Sequence, residues 1–430
     1  MPDNINHRRR ALTVIEGKPE VSSTAKGFAD AAISRGWSFH HLSYIESDCF
    51  TNMDLDNIPL DYVIFRGMSR NDRQQISVLV NWLKKKRKIY INAAMVGGRI
   101  SGQDKYFQQC LFMSDPLLRN HAIPSFKIES KDDVDTHIQK GTLQYPFVLK
   151  DRYGACGRDI HLIRRESDLD AIKNYHNLVA ERYIRPECDY RVFVIGGVAV
   201  GFMRKTGDRN QPDNFRVWSA GREKYPEQDS SVTDILSEIA TRSAAIAGIE
   251  YAGVDIIKEA DTGNYYILEN NIAGGWNNGF IEITGVNIPS LTIDWLEQRD
   301  KARHQTIAAA VQDYLNIYQK YLPQRIQDDC TAILKGKPYA LSPYFNVFHD
   351  YPHSYLYDAG RIFVSLATAY QDFTERSVTA ADAHRALIKQ IESMPLSWAG
   401  NFIGPEVGTF HDGAILSAIY LYLLGKIKEV

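Results

Sequence analysis

The 430-residue chain lacks the features that mark secreted, membrane-spanning or polyanion-binding proteins. Its five cysteines are odd in number and widely separated, which excludes a disulfide framework and fits no zinc-ligand spacing. No apolar run approaches the roughly 20 residues of a membrane span. The segment after the amino-terminal MPDNINHRRR has no hydrophobic core of the length that a secretory signal needs. A formal net charge of -2 argues against a general nucleic-acid surface. We therefore expect a cytoplasmic protein with no nucleic-acid and no membrane partner.

Chain length and hydrophobic patterning predict more than one domain. A chain of 430 residues exceeds what a single compact core accommodates. Strand and helix patterns alternate through the first part of the chain, which predicts an α/β unit with a parallel sheet over residues 1–115. The predicted strands lie at 11–17, 61–67 and 88–92, and the predicted helices lie at 24–35 and 73–86.

The remainder of the chain predicts antiparallel structure over residues 116–300 and a mostly helical extension over residues 301–430. Gly196 and Gly197 form a hairpin turn signal, and a second hairpin turns near Thr262. The role of the helical extension stays open. Its pair His349 and His353 is separated by Pro352, which breaks helical spacing, so a structural role is favoured over metal binding.

Polar residues end the hydrophobic strand YYILENN at 265–271. With the hairpin turn centred near Thr262, Asp255 lies opposite Glu269, and Asn271 shares the face of Glu269. Opposed carboxylates repel unless they are neutralised, and this set of oxygen ligands suits a hard cation such as Mg²⁺. A slip of one residue in the register would separate the two carboxylates. A solvated hairpin tip with incidental acids is the alternative interpretation.

Candidate phosphate and nucleotide ligands lie upstream of this hairpin. Lys150 ends a strand and precedes a loop that contains Gly154 and Gly157, whose backbone N–H groups can fold over phosphate. An extended segment over 181–184 can bond the edge of an adenine, and Asp189 can accept from ribose hydroxyls. Taken singly, each position also fits a simple turn or a surface ion pair. Further cations available to phosphate are Arg191, Arg204 and Arg216.

The order of these segments resembles the ATP-grasp fold, and most of all the RimK-like branch of ATP-dependent carboxylate–amine ligases. The resemblance covers residues 60–290. Within it, Lys105 in GQDKYFQQCLF matches the early nucleotide lysine of the family, and Arg66 in VIFRG matches an arginine of the amino-terminal domain. The implied fold class is α/β (α+β): an ATP-grasp fold with an N-terminal α/β pre-ATP-grasp domain and a helical C-terminal extension. A lid subdomain is implied at 145–205.

The resemblance also implies ATP and Mg²⁺ (or Mn²⁺) as cofactors, with a role for each matching residue. The phosphates would be held by Lys105 and Lys150 under the loop of Gly154 and Gly157, with Arg216 nearby. The adenine would be bound by Glu181, Arg182, Tyr183 and Ile184, and the ribose by Asp189. The metal would be bound by Asp255, Glu269 and Asn271, while Arg191 and Arg204 would steady the transferred phosphoryl group.

Two segments depart from the family pattern, and both concern the acceptor substrate. Trp218 stands where the family's Phe-Arg-x-Asn run has its asparagine, and 272–276 replace the usual Ser-Pro-Gly. The resemblance therefore leaves the substrate open. Cys156, in the glycine loop, is expected to be a passive loop residue rather than a nucleophile.

The function expected from this resemblance is ATP-dependent amide or peptide bond formation through an acyl-phosphate intermediate. The expected partners are small-molecule carboxylate and amine substrates, such as amino acids, or a small peptide, and a homodimer is a candidate assembly. Three alternatives stay open: modification of a ribosomal precursor peptide or protein tail, an ATP-binding regulatory protein without turnover, and a phosphotransferase that stops after phosphorylation.

Overall fold

The computed structural model describes two compact units of the chain. One unit lies within residues 1–98, 195–198 and 287–430, and the other lies within 99–194 and 199–286. The domain bounds expected from the sequence, near 115 and 300, stay predictions. The described residues are 10–17, 19–43, 55, 58–66, 78–80, 82–83, 85–86, 88–92, 104–115, 117–154, 160–207, 223–247, 249–272, 274–276, 279–302, 316 and 320–321.

The described elements are mixed strands and helices, so the predicted α/β class is confirmed. The strands are β1 (Ala11–Glu16), β2 (Ser38–Ser43), β3 (Tyr62–Phe65), β4 (Ile89–Ile91), β5 (Ser125–Ile128), β6 (Phe147–Asp151), β7 (Ile160–Ile163), β8 (Leu178–Arg182), β9 (Pro186–Ile195), β10 (Val198–Thr206), β11 (Glu223–Pro226), β12 (Tyr251–Glu259) and β13 (Tyr265–Asn271). The helices are α1 (Ser23–Ile33), α2 (Lys105–Ser114), α3 (Lys131–Gln139), α4 (Ser230–Ala247), α5 (Phe280–Thr284) and α6 (Ile288–Ala302), with a 3₁₀ helix at Glu166–Ala171.

The first unit is built on a four-stranded sheet in the order β2-β1-β3-β4, with every pairing parallel. The predicted parallel sheet is therefore confirmed. All six residues of β1 are buried, as expected for a strand covered on both faces. At its end Glu16 accepts from the backbone N–H (2.9 Å) and hydroxyl (2.8 Å) of Ser22, the residue that caps α1. Strand and helix are thereby tied together at their junction.

The second unit carries two sheets, in the orders β5-β8-β6-β7 and β11-β10-β9-β12-β13. Every pairing in the smaller sheet is antiparallel, as are β10 with β11 and β12 with β13 in the larger sheet. Both predicted hairpins are present: β9 and β10 flank Gly196 and Gly197, which have positive φ angles of 56° and 80°, and β12 pairs with β13. The smaller sheet buries its own apolar cluster, which includes Phe147, Leu149 and Ala180. Antiparallel pairing is thus the rule among these described pairs, in contrast to the parallel sheet of the first unit.

Several sequence predictions fall outside the described residues. They concern Gly157 and Arg216, the cysteine of the glycine loop, Trp218, and the histidine pair of the helical extension. These stay predictions. Within the described residues, no helix combines the length and the apolar character needed to cross a bilayer.

A buried ion pair joins α4 to the residue that follows α2. The Nε of Arg242 lies 2.7 and 2.8 Å from the two carboxylate oxygens of Asp115, and both side chains are almost inaccessible to solvent. The same carboxylate accepts from the backbone N–H groups of Leu117 and Leu118. Because Asp115 is satisfied from both directions, it fixes the chain where it leaves α2.

We expect Arg242→Met to destabilise the protein by about 3 kcal/mol, because the substitution leaves the Asp115 charge buried without its cation. Urea denaturation followed by circular dichroism measures this loss. Asp115→Asn in the same chain should restore part of it, since the uncompensated charge is then gone. The exposed Arg165→Met is the control, and equal losses in the two arginine variants would contradict the prediction.

Candidate nucleotide and metal site

The register of the last hairpin places two carboxylates directly opposite each other. Asp255 of β12 pairs with Glu269 of β13, as the sequence predicts, and Gly253 pairs with Asn271. The position is confirmed, while the metal-binding role of these residues stays a prediction. Cross-strand partners share one face of a sheet and lie close together. The pairing therefore concentrates negative charge at a single point of the sheet.

A β-bulge produces this register. Next to the turn, Lys258 pairs with Tyr265 and Ile256 pairs with Ile267, and continuing that pattern would set Leu268 opposite Asp255. The register instead shifts between Asp255 and Ile256, so one extra residue enters β13. Bulges redirect side chains in this way and occur often beside functional sites. Here the bulge brings Glu269 opposite Asp255.

Each of the two carboxylates has a cationic partner. Arg191 of β9 binds Asp255 through two parallel hydrogen bonds, each 2.7 Å long. The Nζ of Lys105 lies 3.0 Å from Glu269. Burial on its own would raise the pKa of Glu269, but Lys105, together with Lys150 and Arg191, holds that pKa below its ordinary value. Glu269 is therefore kept ionised although it is partly buried.

Gly253 provides the space in which the Arg191 guanidinium lies. A Cβ atom at this position would come within 2.8 Å of Nη1 and 3.1 Å of Cδ of Arg191. The GVD segment thus has glycine at position 253 because the Arg191 side chain needs the space, and not because the backbone there has a positive φ angle. It allows the guanidinium to reach Asp255 in the bidentate geometry that favours arginine.

Lys105 connects the start of α2 to the base of the glycine loop. Its Nζ donates to the carbonyl of Gly154, and its backbone N–H donates to the carbonyl of Arg152 over 3.0 Å. Asp104, which caps α2, accepts from the Arg152 guanidinium and from the Tyr153 hydroxyl, the latter over 3.1 Å. The first residues of the loop are therefore fixed to the helix that carries Lys105.

Lys150 pairs with Glu181 in the smaller sheet. Their charged atoms are 2.5 Å apart, and Ser125 donates to the other oxygen of Glu181 over 3.1 Å. Both members of the pair are buried. The lysine thus lies at the strand end where the sequence predicts it, held by the first residue of the segment that is predicted to bind adenine.

The rest of the segment predicted to bind adenine, residues 182–184, continues from β8 beside an apolar cluster. Arg182 donates to Glu259 over 2.8 Å and lies over the ring of Tyr266 at 5.0 Å. The backbone N–H of Tyr183 donates to Pro146 over 3.4 Å. Ile184 is buried in a cluster with neighbours from three other segments, namely Ile123, Ile257, Tyr266 and Leu268. The segment combines backbone polarity with apolar surroundings, as an adenine requires, and this assignment stays a prediction.

Asp189 is a buried carboxylate with an unsatisfied oxygen. It is 8% exposed, and its Oδ1 has no hydrogen-bond partner. Burial raises its pKa to about 6, although the charges of Lys205 and Arg191 act in the opposite direction. A buried acceptor without a donor is costly and is therefore uncommon in native proteins. A ribose hydroxyl is a donor of the kind that this oxygen lacks.

Lys205 is a site residue that the sequence analysis misses. It is buried, and its Nζ lies 4.0 Å from Asp255. Arg204, which the sequence predicts as catalytic, is 38% exposed at its side chain and lies 3.6 Å from Glu187. The structure therefore brings Lys205, and not Arg204, to the carboxylates of the site. The role expected for Arg204 stays a prediction.

The donor set of the hairpin is compatible with Mg²⁺. Carboxylate oxygens are its preferred protein ligands, and the ion keeps water or phosphate oxygens in its other positions. Among the residues that the structure describes, no three His, Cys, Asp or Glu side chains form a metal-holding group. A metal at this point would therefore rely on Asp255, Glu269 and the amide oxygen of Asn271. Arg191 and Lys105, the present partners of the acids, are also suited to phosphate.

Comparison with known proteins finds a family match in the central part of the chain. Residues 111–296 match the RimK-like ATP-grasp domain. The coenzyme gamma-F420-2:alpha-L-glutamate ligase of Methanocaldococcus jannaschii is 27% identical over 46% of this chain and 70% of its own length. The tetrahydromethanopterin:alpha-L-glutamate ligase of Methanococcus maripaludis is 26% identical over 43% of this chain and 63% of its own length.

Other relatives align over smaller shares of their length or with lower identity. A probable alpha-L-glutamate ligase of Shewanella halifaxensis is 27% identical over 46% of this chain, and the chain spans 42% of that relative. Among solved structures, the ATP-grasp ligase PsnB in complex with a minimal precursor covers 67% of this chain and 99% of its own, at 16% identity and a TM-score of 0.48. A RimK domain protein ATP-grasp from Sphaerobacter thermophilus covers 66% and 99% at 12% identity, with a TM-score of 0.47.

The raised pKa of Asp189 predicts how Asp189→Asn changes stability with pH. Because the folded protein binds this proton more tightly than the unfolded chain, the wild type loses stability as pH rises from about 4 to 6. The asparagine variant does not carry that loss. Its free energy of unfolding should match the wild type below about pH 4 and exceed it by roughly 3 kcal/mol at pH 7.

Denaturant unfolding at a series of pH values measures the difference between the two proteins. The half-buried Asp168 provides the control variant Asp168→Asn, because the pKa of Asp168 is lowered and its pH dependence has the opposite sign. A difference between wild type and Asp189→Asn that is the same at every pH would contradict the prediction.

Proposed function

We propose that the protein is an ATP-dependent carboxylate–amine ligase, on the basis that residues 111–296 match the RimK-like ATP-grasp domain. One observation carries the proposal. Asp255 and Glu269 are held opposite each other at a bulge, and each is paired with a cation that is also suited to phosphate. The relatives are named as ligases, which supports the same reaction class.

The charge balance of the site fits a metal-bound nucleotide. The carboxylates of the site are Glu181, Asp189, Asp255 and Glu269, and the cations are Lys105, Lys150, Arg191 and Lys205. Opposite charges are equal in number: Lys105, Lys150 and Arg191 each pair with one of the acids, while one oxygen of Asp189 has no hydrogen-bond partner. If the acids take a cation and Asp189 takes a ribose hydroxyl, the lysines and Arg191 become available to the phosphates. We infer that the pairs exchange partners when the nucleotide binds.

The chemistry follows from these residues. A carboxylate oxygen of one substrate attacks the γ-phosphorus of ATP, ADP leaves, and an acyl-phosphate forms. The amine of the second substrate then attacks the acyl carbon, loses a proton and expels phosphate, which leaves an amide. Lys105, Lys150 and Lys205 neutralise the charge that develops on the phosphoryl oxygens. Mg²⁺ held by Asp255, Glu269 and Asn271 would supply further neutralisation of the phosphates.

The base of the glycine loop contributes by excluding water. An acyl-phosphate is hydrolysed if water reaches it, so a ligase of this kind gains from a closed site. Gly154 is already bonded to Lys105, while Arg152 and Tyr153 are bonded to Asp104. We infer that these contacts hold the start of the loop beside the phosphates during both steps.

For the substrates, we propose a free amino acid as the amine and a small molecule or peptide as the carboxylate. Glutamate is the first amine to test, because three relatives are named as alpha-L-glutamate ligases. No described contact selects the acyl donor. The homodimer expected as an assembly stays a prediction.

Release of ADP from the full chain tests the reaction class. Purified protein is mixed with MgATP, a panel of carboxylates and a panel of amino acids, and the products are identified by mass spectrometry. We expect ADP and an amide only when both substrates are present. ADP with an accumulating acyl-phosphate product, whatever the amine, would indicate a phosphotransferase. ATP binding without ADP release from any pair would indicate a regulatory protein.

Asp255→Asn and Glu269→Gln should each lower MgATP turnover by about 100-fold or more, because each removes one anionic ligand from the proposed metal site. Circular dichroism and the melting temperature establish that the variants are folded. Glu259→Gln, on the same hairpin but bonded to Arg182, is the matched control and should keep most of its activity. Full activity of both Asp255→Asn and Glu269→Gln would contradict the metal assignment.

Lys205→Met should lower kcat by about 100-fold, since it removes a buried cation beside the carboxylates. Arg204→Met is the neighbouring comparison and should cost much less, because that side chain is partly exposed and lies toward Glu187. Steady-state ADP release measures both variants. A larger loss for Arg204→Met than for Lys205→Met would restore Arg204 to the role that the sequence predicts for it.

A further inference from the structure

One face of α2 is directed at strand β13. Lys105, Gln108 and Gln109 occupy positions i, i+3 and i+4, which lie on the same side of a helix. Lys105 reaches Glu269, Gln108 bonds Asn270, and Gln109 bonds Ile267. The two glutamines are each 1% exposed. Buried glutamine is unusual in a helix. Here both side-chain amides form hydrogen bonds with the neighbouring strand and its surroundings.

Gln109 binds the bulge itself. Its Nε2 donates to the carbonyl of Ile267 over 2.6 Å and lies 3.5 Å from the carbonyl of Leu268. Its Oε1 accepts from the backbone N–H of Ile123 over 2.8 Å. A bulge disrupts the ladder of hydrogen bonds locally, and β13 is the last strand of its sheet. The amide of Gln109 therefore provides a hydrogen-bond partner where no further strand follows.

Gln108 likewise forms hydrogen bonds with the backbone of β13, at Asn270. Its Oε1 accepts from the backbone N–H of Asn270 over 2.7 Å, and its Nε2 donates to the carbonyl of the same residue over 3.2 Å. This pair of bonds reproduces the contact that a neighbouring strand would make. The Asn270 side chain is held as well, by Ser243 of α4 at 2.9 and 2.8 Å. The residue between Glu269 and Asn271 is thus fixed through backbone and side chain.

We propose that Gln108 and Gln109 are positioning residues, whose amides hold the bulge that sets Glu269 opposite Asp255. They act through the backbone of β13 and are not expected to touch a substrate. The catalytic consequence of this inference rests on the proposed function, whereas the structural consequence does not. A purely structural role, in which the glutamines only anchor α2, would lower stability without changing how the carboxylates respond to Mg²⁺.

The first test compares nucleotide binding with and without the metal in the full chain. Isothermal titration of ADP is carried out with Mg²⁺ and with a chelator, for the wild type and for Gln109→Met, which conserves side-chain volume. We expect the gain in ADP affinity that Mg²⁺ provides to fall about tenfold in the variant, as for other residues that orient metal ligands. The affinity for metal-free ADP should change little, because the lysines remain.

The matched control is Val134→Ala. Val134 is fully buried in the core of the smaller sheet, so its truncation lowers stability without reaching β13. Its gain in ADP affinity from Mg²⁺ should equal that of the wild type. If Val134→Ala and Gln109→Met lose the metal effect equally, the inference is overturned, because the loss then follows stability alone. If Gln109→Met does not fold, Gln108→Met takes its place in every comparison.

The second test combines Gln109→Met with Glu269→Gln. If Gln109 acts through Glu269, the double variant loses no more of the Mg²⁺ effect than Glu269→Gln alone, so the two changes are non-additive. Independent, additive losses would overturn the inference.

Hydrogen exchange separates this inference from the proposed function. Amide exchange over residues 267–271 should accelerate in Gln109→Met and stay unchanged in Val134→Ala. If the wild type shows no MgADP binding, the proposed function fails, and the exchange data alone decide. Unchanged exchange over 267–271 in Gln109→Met would then overturn the positioning role as well.

Discussion

The opposition of Asp255 and Glu269 across one hairpin is the constraint on which the rest of the site depends. Two carboxylates at adjacent cross-strand positions repel each other, and burial increases the cost of each charge. The protein meets this cost with Arg191 on one acid and Lys105 on the other. Gly253 is required so that the guanidinium can approach. Each of these residues supplies or accommodates a counter-charge for the carboxylate pair. Under the proposed function, the metal later replaces that counter-charge.

The same constraint explains why the cations come from separate segments. Arg191 comes from β9, Lys205 from β10 and Lys105 from the start of α2, so no single loop supplies the positive charge. Charges placed on strands and at a helix end are held by backbone hydrogen bonds rather than by the ligand. Under the proposed function, such a site would be organised before the nucleotide binds, and preorganised charges are the most effective kind in phosphoryl transfer.

The sequence predicts the fold class, the parallel and antiparallel strand pairing and both hairpins, because these follow from local periodicity and turn chemistry. It also predicts the opposition of the two carboxylates, but by counting along a regular hairpin, whereas the structure reaches that register through a bulge. Other features depend on tertiary contacts. A regular hairpin with its two-residue turn at Gly196 and Gly197 would place Arg204 opposite Asp189. The sequence spacing therefore does not identify Lys205. The structure nevertheless directs the charge of Lys205 to Asp189 and Asp255. The role of the glutamines of α2 could not be predicted, because nothing in the sequence distinguishes a buried glutamine from an exposed one.

The carboxylate pair and the bulge also require that the edge strand of the sheet be held in register. β13 ends its sheet, and an edge strand with a bulge has few backbone partners to resist a shift in register. A shift of one residue would exchange Glu269 for Leu268 opposite Asp255. The metal-binding hypothesis therefore requires something rigid on the open side of β13. Helix α2 meets this requirement and carries Lys105 on the same face, so the cation and the strand it neutralises are positioned by one element.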